Sequence, residues 1–326
     1  MCWSAPWFVL MRQKAITLLK NYKPMKEVTV NIPTPDGFEL AGILYEYHGA
    51  PKAVVQFNIG TGMRKGFYTN FARYLAENGF IVCLWEYRGM GESRPSDKDD
   101  FAAITMQDWA IDMRAVLDFL ETRYPDWPKL MIGHSIGGQL VGLMPNHHVL
   151  KGMVMITAST GTWWRHTFPY RLKSYFFFNI LPALTVPFLG YVPVKKMKIM
   201  EDLPGALMLE WREWCNSENY LFDFLDKSIP YNAYNELALP IKAYWTTDDP
   251  IANAVTVPAL LRHFRKADIM TEAIRPADFG VKQIGHFGLF SRKLKTQFWT
   301  KVVADLEAMV STTLTYNNPA FKKTTL

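Results

Sequence analysis

Apolar positions along this chain of 326 residues alternate between a period of two and a helical period. Glu27–Ile32 and Phe38–Tyr47 alternate in polarity around Thr34-Pro35-Asp36-Gly37, which predicts an antiparallel hairpin at a sheet edge. Ala53–Phe57 and Phe80–Trp85 read as short buried strands. Between them Phe67, Phe71, Tyr74 and Leu75 recur at helical spacing over Phe67–Glu77, with a stop near Asn78-Gly79. Gln107–Arg123 predicts an amphipathic helix with Trp109, Met113, Val116, Leu117 and Leu120 on one face. Leu130–Ile132 is a further strand, Gly138–Met144 a short helix that must stop at Pro145, and Met153–Thr157 another strand. Towards the C-terminus follow a strand (Ile241–Thr246), a helix (Val255–Arg265), a strand (Ile269–Arg275) and a closing amphipathic helix (Arg292–Ala308). Strands and helices in alternation imply an α/β class, with a mostly parallel doubly wound sheet and helices on both faces. Ligands then sit at the carboxyl ends of the strands.

The rhythm breaks between Gly161 and Glu236, a stretch dense in aromatic residues and too long and apolar for a connecting loop. Tyr175–Val194 holds no charge over twenty residues, a length that could cross a bilayer. Pro182, Pro187, Gly190 and Pro193 argue against one straight helix, so the segment is read as a helical cap inserted over the strand ends. The organisation expected is an N-terminal helical extension (1–26), a core (27–160 and 237–315), an aromatic-rich cap (161–236) and a polar tail (316–326). Met1–Met11 is apolar but has no basic segment before it and no small-residue cleavage site, unlike a secretory signal. It reads as a surface-docked first helix.

Composition narrows the function classes. Hydrophobic residues make up 49% and charged residues 20% of the chain, which is globular rather than disordered. The net charge of +6 is scattered apart from Lys195, Lys196 and Lys198, and no run of five basic residues occurs, so a nucleic-acid partner is not expected. Such a surface permits contact with anionic lipid without requiring it. The oligomeric state is not legible. Cys2, Cys83 and Cys215 are odd in number and lack metal-ligand spacing. Neither a disulfide framework nor a metal or organic cofactor is called for, and a reducing, cytoplasmic setting is expected.

The densest chemical signal is Gly133-His134-Ser135-Ile136-Gly137, lying between an apolar strand and a short helix. Strand, sharp turn with serine at its apex, then helix is the geometry that lifts a nucleophilic hydroxyl clear of a sheet. A serine hydroxyl needs a base to take its proton and an acid to orient that base. Asp249 follows the strand Ile241–Thr246, so it falls on the same rim, with Asp248 a close competitor. Of seven histidines, His286 lies in the loop Ile284-Gly285-His286-Phe287-Gly288 before the last helix and keeps the order serine, acid, histidine. His134 is expected to point away from Ser135 in a structural role, and His166, in the cap, could contact substrate. Two backbone N–H groups are needed for the oxyanion. Ile136, just after the serine, supplies one. Thr61, in the Gly-rich loop Asn58–Gly62 after a strand, supplies the other.

These motifs resemble an α/β-hydrolase of the serine aminopeptidase and monoglyceride-lipase-like group. Ile59–Tyr68 resembles the family's oxyanion loop, with Ile59 where histidine is usual, so only the backbone donor at Thr61 carries over. Glu86-Tyr87-Arg88-Gly89-Met90-Gly91-Glu92-Ser93 is similar to the family's Asp-x-Arg-Gly-x-Gly-x-Ser segment, with Glu86 for Asp. Gly133–Gly138, Asp249-Pro250 and Gly285-His286 match as well. The resemblance implies a serine hydrolase acting on a small-molecule or lipid ester. The apolar cap favours a hydrophobic acyl or aryl group, with Trp163, Trp164 and Phe177 as candidate substrate contacts. Three rivals stay open. One is an aminopeptidase or amidase, for which Glu201, Asp202, Glu210, Glu213 and Glu218 are available to bind an amino terminus. The others are an acyltransferase and a non-catalytic binding protein on the same fold.

Overall fold

The computed structural model describes residues 25–197 and 200–316; the expected first helix and the tail beyond Tyr316 lie outside the described residues. Among the described residues there are ten strands: β1 (Met25–Pro33), β2 (Glu39–Tyr47), β3 (Val54–Asn58), β4 (Ile81–Trp85), β5 (Lys129–His134), β6 (Leu150–Ile156), β7 (Tyr191–Val192), β8 (Leu203–Pro204), β9 (Pro240–Thr246) and β10 (Asp268–Ile274). Eight of them form one sheet in the order β1-β2-β4-β3-β5-β6-β9-β10. β1 and β2 are the antiparallel edge hairpin, and from β4 to β10 the neighbours run parallel. Met25 and Lys26 belong to β1 rather than to the extension before it.

Every residue of β3, β4 and β5 is buried, as strands covered on both faces require. The helix Thr69–Glu77 and the closing helix Thr300–Tyr316 share one face, where Phe71 meets Trp299 at 5.3 Å between ring centroids. The helix Met106–Arg123 covers the other face through Trp109, Met113, Val116, Leu117 and Leu120, all buried. Its start is fixed by a capping box. The Thr105 hydroxyl accepts from the Asp108 N–H, and the Asp108 carboxylate accepts from the Thr105 N–H.

Strand order sets the position of the site. From β3 the chain steps one way to β4, then crosses back to β5 on the far side of β3. This reversal makes the carboxyl ends of β3 and β5 neighbours, with Asn58 paired to Gly133. The loop after β3 and the turn after β5 therefore open side by side at a topological switch point.

Between β6 and β9 the chain leaves the sheet and forms the cap. Its helical run Tyr170–Leu189 continues through Pro182 and Pro187 but is not one regular α-helix. A wider i→i+5 turn at Phe176–Ile180 precedes Pro182, and the helix carries Pro187 before stopping at Gly190 in a left-handed conformation. Val255–Arg265 is also shorter than its pattern: only Thr256–Leu261 is α-helical. The Asn253 side chain accepts from the Val255 and Thr256 N–H groups, which delays the start.

Candidate active site

Ser135 follows the last residue of β5 and has φ 52°, a left-handed conformation rare for a residue with a side chain. Its own N–H bonds the Ile156 carbonyl of β6 at 3.0 Å, which holds the turn against the sheet. The two flanking glycines are required by contact. A Cβ on Gly133 would stand 2.5 Å from the Gly137 oxygen, and one on Gly137 would stand 2.6 Å from the Asn58 oxygen. The helix begins at Ile136, so the Ile136 N–H is one that the helix cannot satisfy itself.

Three side chains from three distant segments meet here. His286 Nε2 lies 3.0 Å from Ser135 Oγ, and His286 Nδ1 lies 2.7 Å from Asp249 Oδ2. Asp249 is buried and its other oxygen accepts from the Ile251 N–H at 2.8 Å. That second bond fixes the carboxylate plane. Asp248 points elsewhere: its carboxylate accepts from the Ile284 and Gly285 N–H groups at 2.8 and 3.0 Å. It shapes the loop that carries the imidazole, while Asp249 touches the ring.

His134 lies buried behind the turn. Its Nδ1 accepts from the Tyr68 hydroxyl at 2.7 Å, and that hydroxyl in turn accepts from the Gly60 N–H at 3.1 Å. Its Nε2–H donates to the His286 carbonyl at 3.1 Å. These partners require the neutral Nε2–H tautomer, and complete burial holds its pKa well below the usual histidine value. The Thr157 hydroxyl donates to the same carbonyl at 3.1 Å, and the Thr246 hydroxyl to the Gly285 carbonyl at 3.2 Å.

The loop after β3, the candidate oxyanion loop, is held from beneath. Glu86, buried, accepts from the Lys65 N–H at 3.0 Å, the Lys65 ammonium at 2.8 Å and the Glu92 N–H at 2.9 Å. Glu86 in place of the family's Asp thus anchors the chain just beyond Thr61. Asn58 at the end of β3 donates to the Gly137 carbonyl at 3.2 Å and accepts from Trp85 at 3.1 Å, tying this loop's base to the elbow helix. Thr61 itself is buried, and its hydroxyl has no partner among the described residues.

The cap is attached on both sides of Ser135. The Glu201 N–H donates to the Gly62 carbonyl at 2.8 Å and the Arg64 guanidinium to the Glu201 carboxylate at 2.8 Å. On the other side the Thr167 N–H donates to the Pro250 carbonyl at 3.0 Å and the Asn253 amide to the Arg165 carbonyl at 3.0 Å. His166 is buried between these bonds. Its Nδ1 contacts Ser174 Oγ at 2.7 Å, its Nε2 has no partner among the described residues, and burial lowers its pKa to about 4. Trp163, Trp164 and Phe177 are part-buried, and the ring contacts they make run within the cap. Trp163 meets Trp164 and Tyr175 and donates to Asn216, while Phe177 meets Phe178 and Trp211.

Sequence patterns alone missed the partners of the elbow helix. The Gln139 side chain accepts from the Tyr220 hydroxyl at 2.8 Å, Tyr220 accepts from Trp211 at 2.9 Å, and the Tyr234 hydroxyl donates to the Gln139 carbonyl at 2.7 Å. Lone tyrosines far away in the chain give no signal of such contacts.

Residues 49–213, half of the chain, match the family described as serine aminopeptidase, S33. Human monoglyceride lipase is 30% identical over 116 residues, which cover 33% of this chain and 36% of that protein. The mouse monoglyceride lipase is 28% identical over 127 residues, 37% and 40% of the two chains. The chain thus matches little more than a third of these relatives' length. Among solved structures, a soluble variant of the Saccharomyces cerevisiae monoglyceride lipase with a substrate analogue superposes at TM-score 0.62 and 14% identity, over 89% of this chain and 95% of that one. A thermostable carboxyl esterase from Bacillus coagulans superposes at 0.56 and 16%, over 88% and 100%. These likenesses show the α/β-hydrolase fold, and with the family match they establish that the chain belongs to the serine aminopeptidase S33 family of α/β hydrolases.

Proposed function

We propose that the protein hydrolyses carboxylic esters through an acyl-enzyme on Ser135. The observation that carries this reading is the hydrogen-bonded line from Asp249 to His286 to Ser135, at 2.7 and 3.0 Å. As Ser135 Oγ attacks the ester carbonyl, its proton passes to His286 Nε2. Asp249 then faces the imidazolium. The carbonyl oxygen takes the negative charge against the N–H groups of Thr61 and Ile136, each worth about 3 kcal/mol. Collapse breaks the ester C–O bond, and His286 returns its proton to the departing alcohol. Water, deprotonated by the same imidazole, then releases the acid.

The ester reading is supported over peptide hydrolysis by the state of the cap carboxylates. Glu201 pairs with Arg64 and Lys195, and Asp202 with Arg94. Glu210 accepts from the Met106 N–H, and Glu218 pairs with Arg165. Binding a free amino terminus at any of these four would need that carboxylate released; Glu213 is exposed and has no ion pair among the described residues. The aromatic cap favours a hydrophobic acyl or aryl group, with the part-buried Trp163, Trp164 and Phe177 assigned to substrate contact. Buried free thiols at Cys83 and Cys215 fit a reducing, cytoplasmic setting.

A chain-length series of p-nitrophenyl esters beside aminoacyl-naphthylamides tests the proposal. Turnover should favour the apolar esters and vanish in Ser135→Ala. Faster cleavage of the naphthylamides, or ester turnover that survives in Ser135→Ala, contradicts it.

A further inference from the structure

The helical run Tyr170–Leu189 is mostly apolar and carries no charge after Lys173, yet most of it faces solvent. Phe168, Leu172, Phe176, Ile180, Leu184 and Phe188 recur every fourth residue, and all six are exposed, Phe188 by 81%, Phe168 by 68% and Leu184 by 63%. On an α-helix a spacing of four drifts forward by about 40° per step. The wider turn at Phe176–Ile180 winds less per residue and takes part of that drift back, which keeps the stripe together. Soluble surfaces seldom carry a contiguous apolar band of this kind without a partner.

The charge around the band selects the partner. Residues 161–200 contain no Asp or Glu, while holding Arg165, Arg171, Lys173, Lys195, Lys196 and Lys198. Arg171, Lys173 and Lys196 are exposed and have no carboxylate partner among the described residues. Cations therefore flank both ends of the band. A second copy of this chain seated face to face would bring two such rims together in mutual repulsion. Residues 1–24 of the chain itself are apolar but hold four basic residues and no acidic one, so they do not complement it either. A surface that is apolar within and negative outside complements both features.

We propose that this band docks the protein onto an anionic phospholipid surface, with the helix lying in the interface and the basic residues at its ends against the headgroups. Pro182 and Pro187 within the run favour lying in the interface over crossing it. The inference does not depend on the reaction at Ser135, so either can fail alone.

Flotation of the full chain with vesicles tests it. Vesicles containing phosphatidylglycerol should bind at least about tenfold more tightly than pure phosphatidylcholine, and binding should weaken as salt rises, since each cation at the surface is worth about fivefold. Leu184→Ser with Phe188→Ser should lose at least about tenfold of the binding with an unchanged melting temperature, because both side chains are exposed. Arg171→Gln with Lys173→Gln and Lys196→Gln should remove the preference for the anionic lipid. No vesicle binding, equal binding to both lipids, or wild-type binding by the serine variant overturns the proposal. So does a stable dimer that the serine variant dissociates and vesicles do not compete away.

Discussion

The Nε2–H of His134 donates to the main-chain carbonyl of His286 across 3.1 Å, so the residue preceding Ser135 carries the loop that presents the His286 imidazole. Through Tyr68 the same ring reaches the Gly60 N–H of the oxyanion loop. One buried histidine thus ties together the three loops from which Thr61, Ser135 and His286 project. His134→Leu leaves the buried Tyr68 O–H without an acceptor and the His286 carbonyl with only the Thr157 hydroxyl. It should cost about 2–4 kcal/mol of stability and lower kcat/KM by at least about tenfold through loss of alignment. Denaturant unfolding and ester kinetics on the purified variant measure both; full activity at full stability would show that the bridge is idle.

The two carboxylates side by side should separate cleanly. Asp249→Asn removes the anion that orients His286 and should lower kcat by roughly 10⁴ with little change in unfolding. Asp248→Asn weakens the bonds to the Ile284 and Gly285 N–H groups and should cost about 1–2 kcal/mol of stability with a much smaller loss of kcat. Steady-state kinetics and unfolding curves on both variants decide; a larger kcat loss in Asp248→Asn reverses the assignment.

Acid should destabilise the fold through its buried neutral histidines. Both His134 and His166 have folded pKa values below the unfolded value near 6.5, because burial penalises the charged ring. Below that value the unfolded chain binds the extra proton first, so stability is full above pH 6.5 and falls as pH drops. For His166, with its folded pKa at about 4, the loss accumulates between pH 6.5 and 4 and amounts to about 3 kcal/mol. Unfolding free energies measured across this window should show a shallower slope in His166→Gln than in the wild type. Identical slopes would mean that His166 is not held neutral.

Backbone strain at Ser135 gives a fourth prediction. With φ at 52°, a side chain there is strained, while glycine accepts this conformation freely. After allowing for glycine's greater unfolded-state entropy, Ser135→Gly should unfold about 1 kcal/mol less readily than the wild type and be inactive. Thermal and denaturant melts check it. A clear loss of stability would locate the strain elsewhere.

Much of this arrangement is legible in the sequence because it is local. β3, β4, β5, β6, β9 and β10 fall within three residues of their expected bounds at each end; β3, β4 and β5, buried on both faces, leave a compact apolar run, while β9 and the exposed edge strand β10 show through the alternation of strands and helices. Ser135 stands out by glycines needed where chain passes close to chain, and His286 by Gly285, whose φ of 61° a side chain would strain. The Asp248–Asp249 ambiguity is different. Both lie past the same strand end, and only the loop 37 residues on decides which one meets the ring. Tyr68, Asn58 and Glu86 act through partners that the fold assembles, so neither spacing nor periodicity marks them. In the cap Pro182 signals that the helix is not regular without showing how the chain passes it. The i→i+5 turn that accommodates it has no sequence pattern of its own.

Mapped labelling with a fluorophosphonate probe tests the central assignment most directly, since only a hydroxyl activated by a neighbouring base reacts. One adduct per chain is expected, located on the peptide containing Ser135, absent in Ser135→Ala and formed far more slowly in His286→Ala. An adduct at another residue, or a labelling rate indifferent to His286, would contradict the account.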